Sequence, residues 1–116
     1  MDKILLHKQL CDQLNSVYKK KNEDYGDSFG KSVAKRGITA AMVRLEDKWN
    51  RLDNLTLNPN NIQVKDESIG DTLLDMANYC LMTYLELYAY PQAATSTVEV
   101  TTTPISVCRD YYPEYD

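Results

Sequence analysis

Glu67, Asp71 and Asp75 recur at every fourth position of the segment Asp66-Glu67-Ser68-Ile69-Gly70-Asp71-Thr72-Leu73-Leu74-Asp75-Met76-Ala77-Asn78-Tyr79, and Asn78 continues the line. In a helix these three carboxylates and one amide share a side. Like charges four residues apart repel by roughly 0.2–0.5 kcal/mol per pair, so the row calls for a compensating cation. Hard oxygen ligands of this kind suit magnesium or manganese. A second explanation stands beside the first. Acidic residues in a first helical turn complement the helix dipole. That accounts for Glu67 and Asp71 as a solvated face, but not for Asp75 deeper in the helix.

A second acidic pair lies on another element. Thr39 is a suitable N-cap for a helix from about Ala40 to Leu55, with Met42, Leu45, Trp49 and Leu52 as its apolar face and Trp49 as a core residue. Glu46 and Asp53 project near Met42 and Trp49, away from the basic side formed by Arg44, Lys48 and Arg51. Carboxylates at the edge of a core stripe need partners. Either arginines of a neighbouring helix supply them, or the pair faces the same cation as Asp71 and Asp75.

The remaining pattern supplies the elements that must position these groups. Leu10, Leu14 and Val17, with Ile4, Cys11 and Tyr18 alongside, mark a first helix over Lys3–Lys21, closed by Lys19-Lys20-Lys21. Asn22 to Gly30 reads as a structured loop, and a short helical piece over Phe29–Arg36 is stopped by Gly37. Asn58-Pro59-Asn60-Asn61 marks a connection. The last long helix runs from about Asp66 to Tyr88. Leu74, Cys80, Leu81, Met82, Leu85 and Leu87 make its later half apolar on several sides. Three good helices cover such a surface poorly in a monomer, which points to a homo-oligomer. After Pro91 the composition shifts to Ser, Thr and Ala. Val98–Thr101 and Ile105–Val107 then alternate as strands do, ahead of an acidic, tyrosine-rich end. The chain thus divides into a helical region, residues 1–90, and a tail, residues 91–116, suited to a β-hairpin or an oligomer contact.

Composition narrows the function classes. A chain of 116 residues is one domain, and its net charge of −4 argues against general nucleic-acid binding. Its cations are nevertheless clustered, at Lys19–Lys21 and at Lys31, Lys35, Arg36, Arg44, Lys48 and Arg51, which leaves room for a local anion site. The three cysteines have no metal-ligand spacing. Cys11 and Cys80 fall within apolar helical patterns, so reduced, buried thiols and a cytoplasmic location are expected. No secretory leader pattern and no membrane-length apolar run is evident. His7, the single histidine, is expected on the surface, which disfavours a histidine-based triad. No P-loop or dinucleotide glycine fingerprint occurs.

Leu45-Glu46-Asp47-Lys48-Trp49-Asn50-Arg51-Leu52, followed by Glu67, Asp71, Asp75, Asn78 and Tyr79, resembles the all-α nucleoside triphosphate pyrophosphohydrolases of the MazG and dimeric dUTPase type. Asp24-Tyr25-Gly26-Asp27-Ser28 and Asp75-Met76-Ala77-Asn78-Tyr79 more closely resemble the phage-associated set called nucleotide modification associated domain 1. The similarity covers roughly residues 4 to 90. It implies an all-α helical bundle of MazG-like type, dimeric or tetrameric, that binds a nucleotide through Mg²⁺ or Mn²⁺. Carried over, Glu46, Glu67, Asp71 and Asp75 would hold the metal, with Glu46 and Asp75 catalytic. Lys35, Arg36, Lys48 and Arg51 would clamp phosphates, Tyr25 and Phe29 would stack on the base, and Asn78 would read its edge. The pattern departs from the enzymes at Asn50 and Thr72, where glutamates are expected. Two readings follow: metal-dependent hydrolysis of a nucleoside triphosphate to monophosphate and pyrophosphate, or a non-catalytic phage sponge in the host cytoplasm. The sponge would hold a nucleotide immune signal, such as a cyclic oligonucleotide or an ADP-ribose derivative. A third is an interaction protein acting through its tail.

Overall fold

The computed structural model describes residues 2–58 and 68–95, all helical apart from short connections. Helix α1 spans Lys3–Tyr25, α2 Ser28–Arg36, α3 Ile38–Leu57 and α4 Ile69–Tyr84. A π-helical turn, Leu85–Ala89, joins α4 to a short α5, Tyr90–Thr95. No described helix is long and apolar enough to cross a membrane.

Local chemistry explains the ends. Asp2 caps α1 by accepting from the backbone N–H groups of Ile4 and Leu5 at 2.9 and 3.3 Å. The helix then passes through Asn22–Tyr25, expected as loop, and stops where the chain first reaches a residue free to turn left-handed. That residue is Gly26, at φ 61°. Asp27 follows at φ 59°, a conformation aspartate tolerates better than most residues, so the connection is two residues long and not nine. Gly37, at φ 69° and ψ −156°, occupies a region open essentially to glycine alone and breaks α2 from α3. That break places the start of α3 at Ile38, so Thr39 lies inside the helix and not at its cap. The lysine triplet accordingly sits a turn before the end of α1.

α4 is the axis of the molecule. It runs antiparallel to α3, with Lys48 against Asp75 and Arg51 against Thr72. It also runs antiparallel to α1, where the Asn78 side-chain amide donates to the Leu14 carbonyl at 3.1 Å. α2 packs on α3 and reaches the π-helical turn. The widened turn precedes Pro91, whose ring crowds the carbonyl four residues back, at Leu87. Tail residues 91–95 continue the helix, and the expected strands at 98–101 and 105–107 lie outside the described residues.

Packing is thin. Among the described residues only Leu14, Val33, Ala41 and Leu55 are buried apolar side chains, and Thr72, 2 % exposed, is the buried polar one. The inner face of α3 is therefore Ala41, Leu45, Leu52 and Leu55, rotated from the expected stripe. Trp49, assigned to the core from its spacing, is 60 % exposed, and Met42 is exposed beside it. The small Ala41 lets α3 approach its neighbours closely, which turns the larger side chains outward. Cys11 and Cys80 are likewise exposed free thiols, not buried ones, because α1 meets α4 along a narrow seam centred on Leu14. His7 is on the surface, as expected.

Candidate functional site

The antiparallel pairing of α1 and α3 with α4, with α2 crossing between them, leaves a cleft of about 650 Å³. Its cations come from three helices: Lys21 from the lysine triplet of α1, Arg36 at the end of α2, and Arg44 and Lys48 one turn apart on α3. Its aromatic side is Tyr18 and Tyr25 of α1, Phe29 of α2 and Tyr79 of α4. Ser28, Ser32, Asn22 and Asn78 add hydroxyls and amides, while Val17, Ala40, Val43 and Met82 complete an apolar lining. Phe29 and Tyr79 are in ring contact, centroids 5.6 Å apart and planes tilted by 54°. That tilt is typical of a favourable aromatic pair and fixes α2 against α4. Tyr25, 70 % exposed at the end of α1, stands at the rim.

Asp75 is the single carboxylate in the lining. Its two oxygens are divided between lysines: Lys48 Nζ lies 3.3 Å from Oδ2, and Lys21 Nζ 4.0 Å from Oδ1. One carboxylate against four cations leaves the cleft positive within an acidic chain. Fields from charges in a low-dielectric cleft act more strongly than on an open surface.

The other carboxylates of the acidic row are placed differently. Asp71 completes a capping box. Its carboxylate accepts from the Ser68 backbone N–H at 3.1 Å and from the Ser68 hydroxyl at 2.8 Å, while the Asp71 N–H donates to that hydroxyl oxygen at 3.1 Å. The hydroxyl contact, then the backbone one, hold the Asp71 carboxyl below its ordinary pKa. The dipole reading thus describes Asp71. Glu46 is exposed on the outer side of α3 and is not in the lining, and Asp53 is exposed with it. Glu67 lies outside the described residues. No group of three or more His, Cys, Asp or Glu side chains suited to a metal ion occurs among the described residues.

Of the expected ligand-binding residues, Tyr25, Phe29, Arg36, Lys48 and Asn78 line the cleft together with Asp75. Lys35 is exposed and outside the lining. Arg51 is outside as well: its Nε donates to the Thr72 hydroxyl oxygen at 3.3 Å, and that hydroxyl donates to the Ser68 carbonyl at 2.9 Å. Arg51 and Thr72 therefore join α3 to the start of α4, which gives Thr72 a structural role where a glutamate was expected. Asn78 lines the cleft, but its amide nitrogen is engaged with α1, so it positions helices. Sequence reasoning assigned no site role to Lys21, Arg44, Tyr18 or Tyr79. The Arg44–Lys48 spacing of one helical turn was the signal available for Arg44. Lys21 becomes a site residue only because α1 continues past it.

A second cluster lies at the edge of the cleft. The Asp27 carboxylate sits over Gly30, where a Cβ would come within 2.6 Å of its oxygen, so position 30 has no room for a side chain. Burial, then the nearby Asp27 charge, raises the pKa of Glu86 on the π-helical turn. Burial, then Asp27 and Glu86, raises that of Tyr18.

No curated protein and no solved structure matches the chain. The family model described as nucleotide modification associated domain 1 matches residues 21–87, which takes in every cleft residue except Val17 and Tyr18. A match over more than half of the 116 residues, centred on the cleft, makes this chain a member of the nucleotide modification associated domain 1 family.

Proposed function

We propose that the cleft binds a nucleotide, with phosphates against the cationic wall and the base against Tyr25 and Phe29. The observation carrying this reading is the convergence of Lys21, Arg36, Arg44 and Lys48 from three helices on a cleft that also presents aromatic rings. Guanidinium forks pair with phosphate oxygens and ammonium groups add point charge. Aromatic faces accept bases of any identity. The family description, associated with nucleotide modification, supports the same ligand class.

Retention of the intact ligand is the reading we favour over hydrolysis. Magnesium would supply charge neutralisation and an activated water. Of the four carboxylates expected to hold it, Asp75 alone lines the cleft, already shared between two lysines. The described carboxylates do not fit a metal cage, and no step is assigned to one. A nucleotide sponge, phage-borne and directed at a cyclic oligonucleotide or an ADP-ribose derivative, is the form of retention we propose. Exposed apolar residues on α1 and α4, among them Ile4, Leu10, Leu73 and Leu81, favour a homo-oligomer of two or four chains.

The test mixes the protein and Mg²⁺ with canonical triphosphates, cyclic oligonucleotides and ADP-ribose, followed by chromatography before and after denaturation. A ligand withdrawn from solution and recovered intact supports retention. Monophosphate and pyrophosphate, lost in Asp75→Asn, would establish hydrolysis instead. Every compound remaining free and unchanged would overturn the nucleotide reading. Lys48→Ala is expected to weaken binding roughly tenfold, the ~1.4 kcal/mol scale of one charge-assisted contact.

A further inference from the structure

The cleft is the most strongly charged concavity among the described residues, and the same chain carries a segment of opposite charge. Asp110-Tyr111-Tyr112-Pro113-Glu114-Tyr115-Asp116 holds three carboxylates, three tyrosines and no cation. The cleft holds four cations, one of them offset by Asp75, together with exposed aromatic surface at Tyr25 and Phe29. Carboxylates on a short segment present to those cations much what a phosphate chain presents, and tyrosine rings offer stacking faces in place of a base. Resting on the nucleotide-binding reading of the cleft, we propose that residues 110–116 occupy it in the absence of nucleotide. They act as an internal competitor that the ligand must displace.

Chain geometry permits this. The cleft reaches as far along α4 as Met82, and the described helix ends at Thr95. Those thirteen residues span about 20 Å at helical rise. Residues 96–109 form a fourteen-residue connection, and a flexible chain of that length has a root-mean-square span of about 20 Å. The connection therefore matches the return distance. A tether of matched length presents its end at an effective concentration on the order of millimolar, so even a weak electrostatic match is substantially populated. Lys21 and Lys48 sit where such carboxylates would arrive, since they already hold Asp75.

Two measurements on the full chain test the proposal. The first is carbodiimide coupling, which joins a carboxylate to an amine as an amide, followed by peptide mapping on a mixture of ¹⁴N- and ¹⁵N-labelled chains. Links from Asp110, Glu114 or Asp116 to Lys21 or Lys48 within one isotopic chain are expected, and they should fade when excess tripolyphosphate is added. Links distributed equally over Lys3, Lys8 and Lys31, or formed only between differently labelled chains, would overturn it. The second compares tripolyphosphate affinity in the wild type and in the triple variant Asp110→Asn, Glu114→Gln, Asp116→Asn. A three- to tenfold gain in the variant supports the competitor, and equal affinity overturns it. If tripolyphosphate binds neither protein, the anion-site reading fails on its own. The cross-links obtained without it then decide whether the tail occupies the cleft.

Discussion

Asp75 holds the site in a neutralised state, because a half-buried carboxylate between two lysines offsets the charge an anionic ligand needs. Its pairs are partly exposed, so their strength is modest, on the order of 1 kcal/mol or less. Asp75→Asn is therefore expected to tighten tripolyphosphate binding about three- to tenfold and to steepen its salt dependence. Titrations at two ionic strengths read both effects, and weaker binding would show that Asp75 contacts the ligand favourably. Spacing made Asp75 visible in the sequence as the one carboxylate that a dipole could not explain. The identity of its partner was hidden. Lys21 and Lys48 are 54 and 27 residues away, and only antiparallel packing of α1 and α3 on α4 brings them to it.

Helix α4 shows which parts of an element are legible before folding. Its existence followed from apolar periodicity, and Ser68 with Asp71 three residues on is a capping signature in plain view. Ser68→Ala is expected to lower stability by about 1 kcal/mol, measured as a shift in urea midpoint at unchanged slope. Element boundaries were less legible where glycine decided them. Gly26 and not the lysine triplet ends α1, and Gly37 and not Thr39 begins α3, because backbone freedom outweighed the polar end signals. The π-helical turn had no periodic signature, and it positions Glu86 against Asp27. The pKa of Glu86 is raised above its ordinary value near 4.5, so the folded state holds its proton more tightly than the unfolded one. Stability from this group is thus highest at low pH and falls as pH rises past that value. Glu86→Gln is expected to raise the urea midpoint at pH 7 and to leave it unchanged at pH 3. An unchanged midpoint at both would place Glu86 in free solvent.

At the scale of the molecule, the all-helical class was legible, and the burial pattern was not. Helical periodicity shows that a face is apolar, but not which neighbour covers it. Met42 and Trp49 on α3, and Cys11 and Cys80 on α1 and α4, carried the expected pattern and stand exposed. Four buried apolar side chains are a slight core for the described helices, and the apolar rows at Leu73 and Leu81 and at Ile4 and Leu10 leave surface to cover. Sedimentation across a dilution series is expected to show a concentration-dependent oligomer, and Leu81→Lys is expected to shift it toward monomer. A single monomeric species throughout would leave these rows as plain solvent-facing surface. Trp49 adds an optical consequence. As the sole tryptophan, lying on the outside of α3, its emission in a lone subunit already resembles that of the denatured chain. Melting curves followed by that fluorophore would be nearly flat where circular dichroism falls. Any blue shift on concentrating the protein would register the burial of α3 against another surface, which makes the indole a reporter of assembly and not of folding.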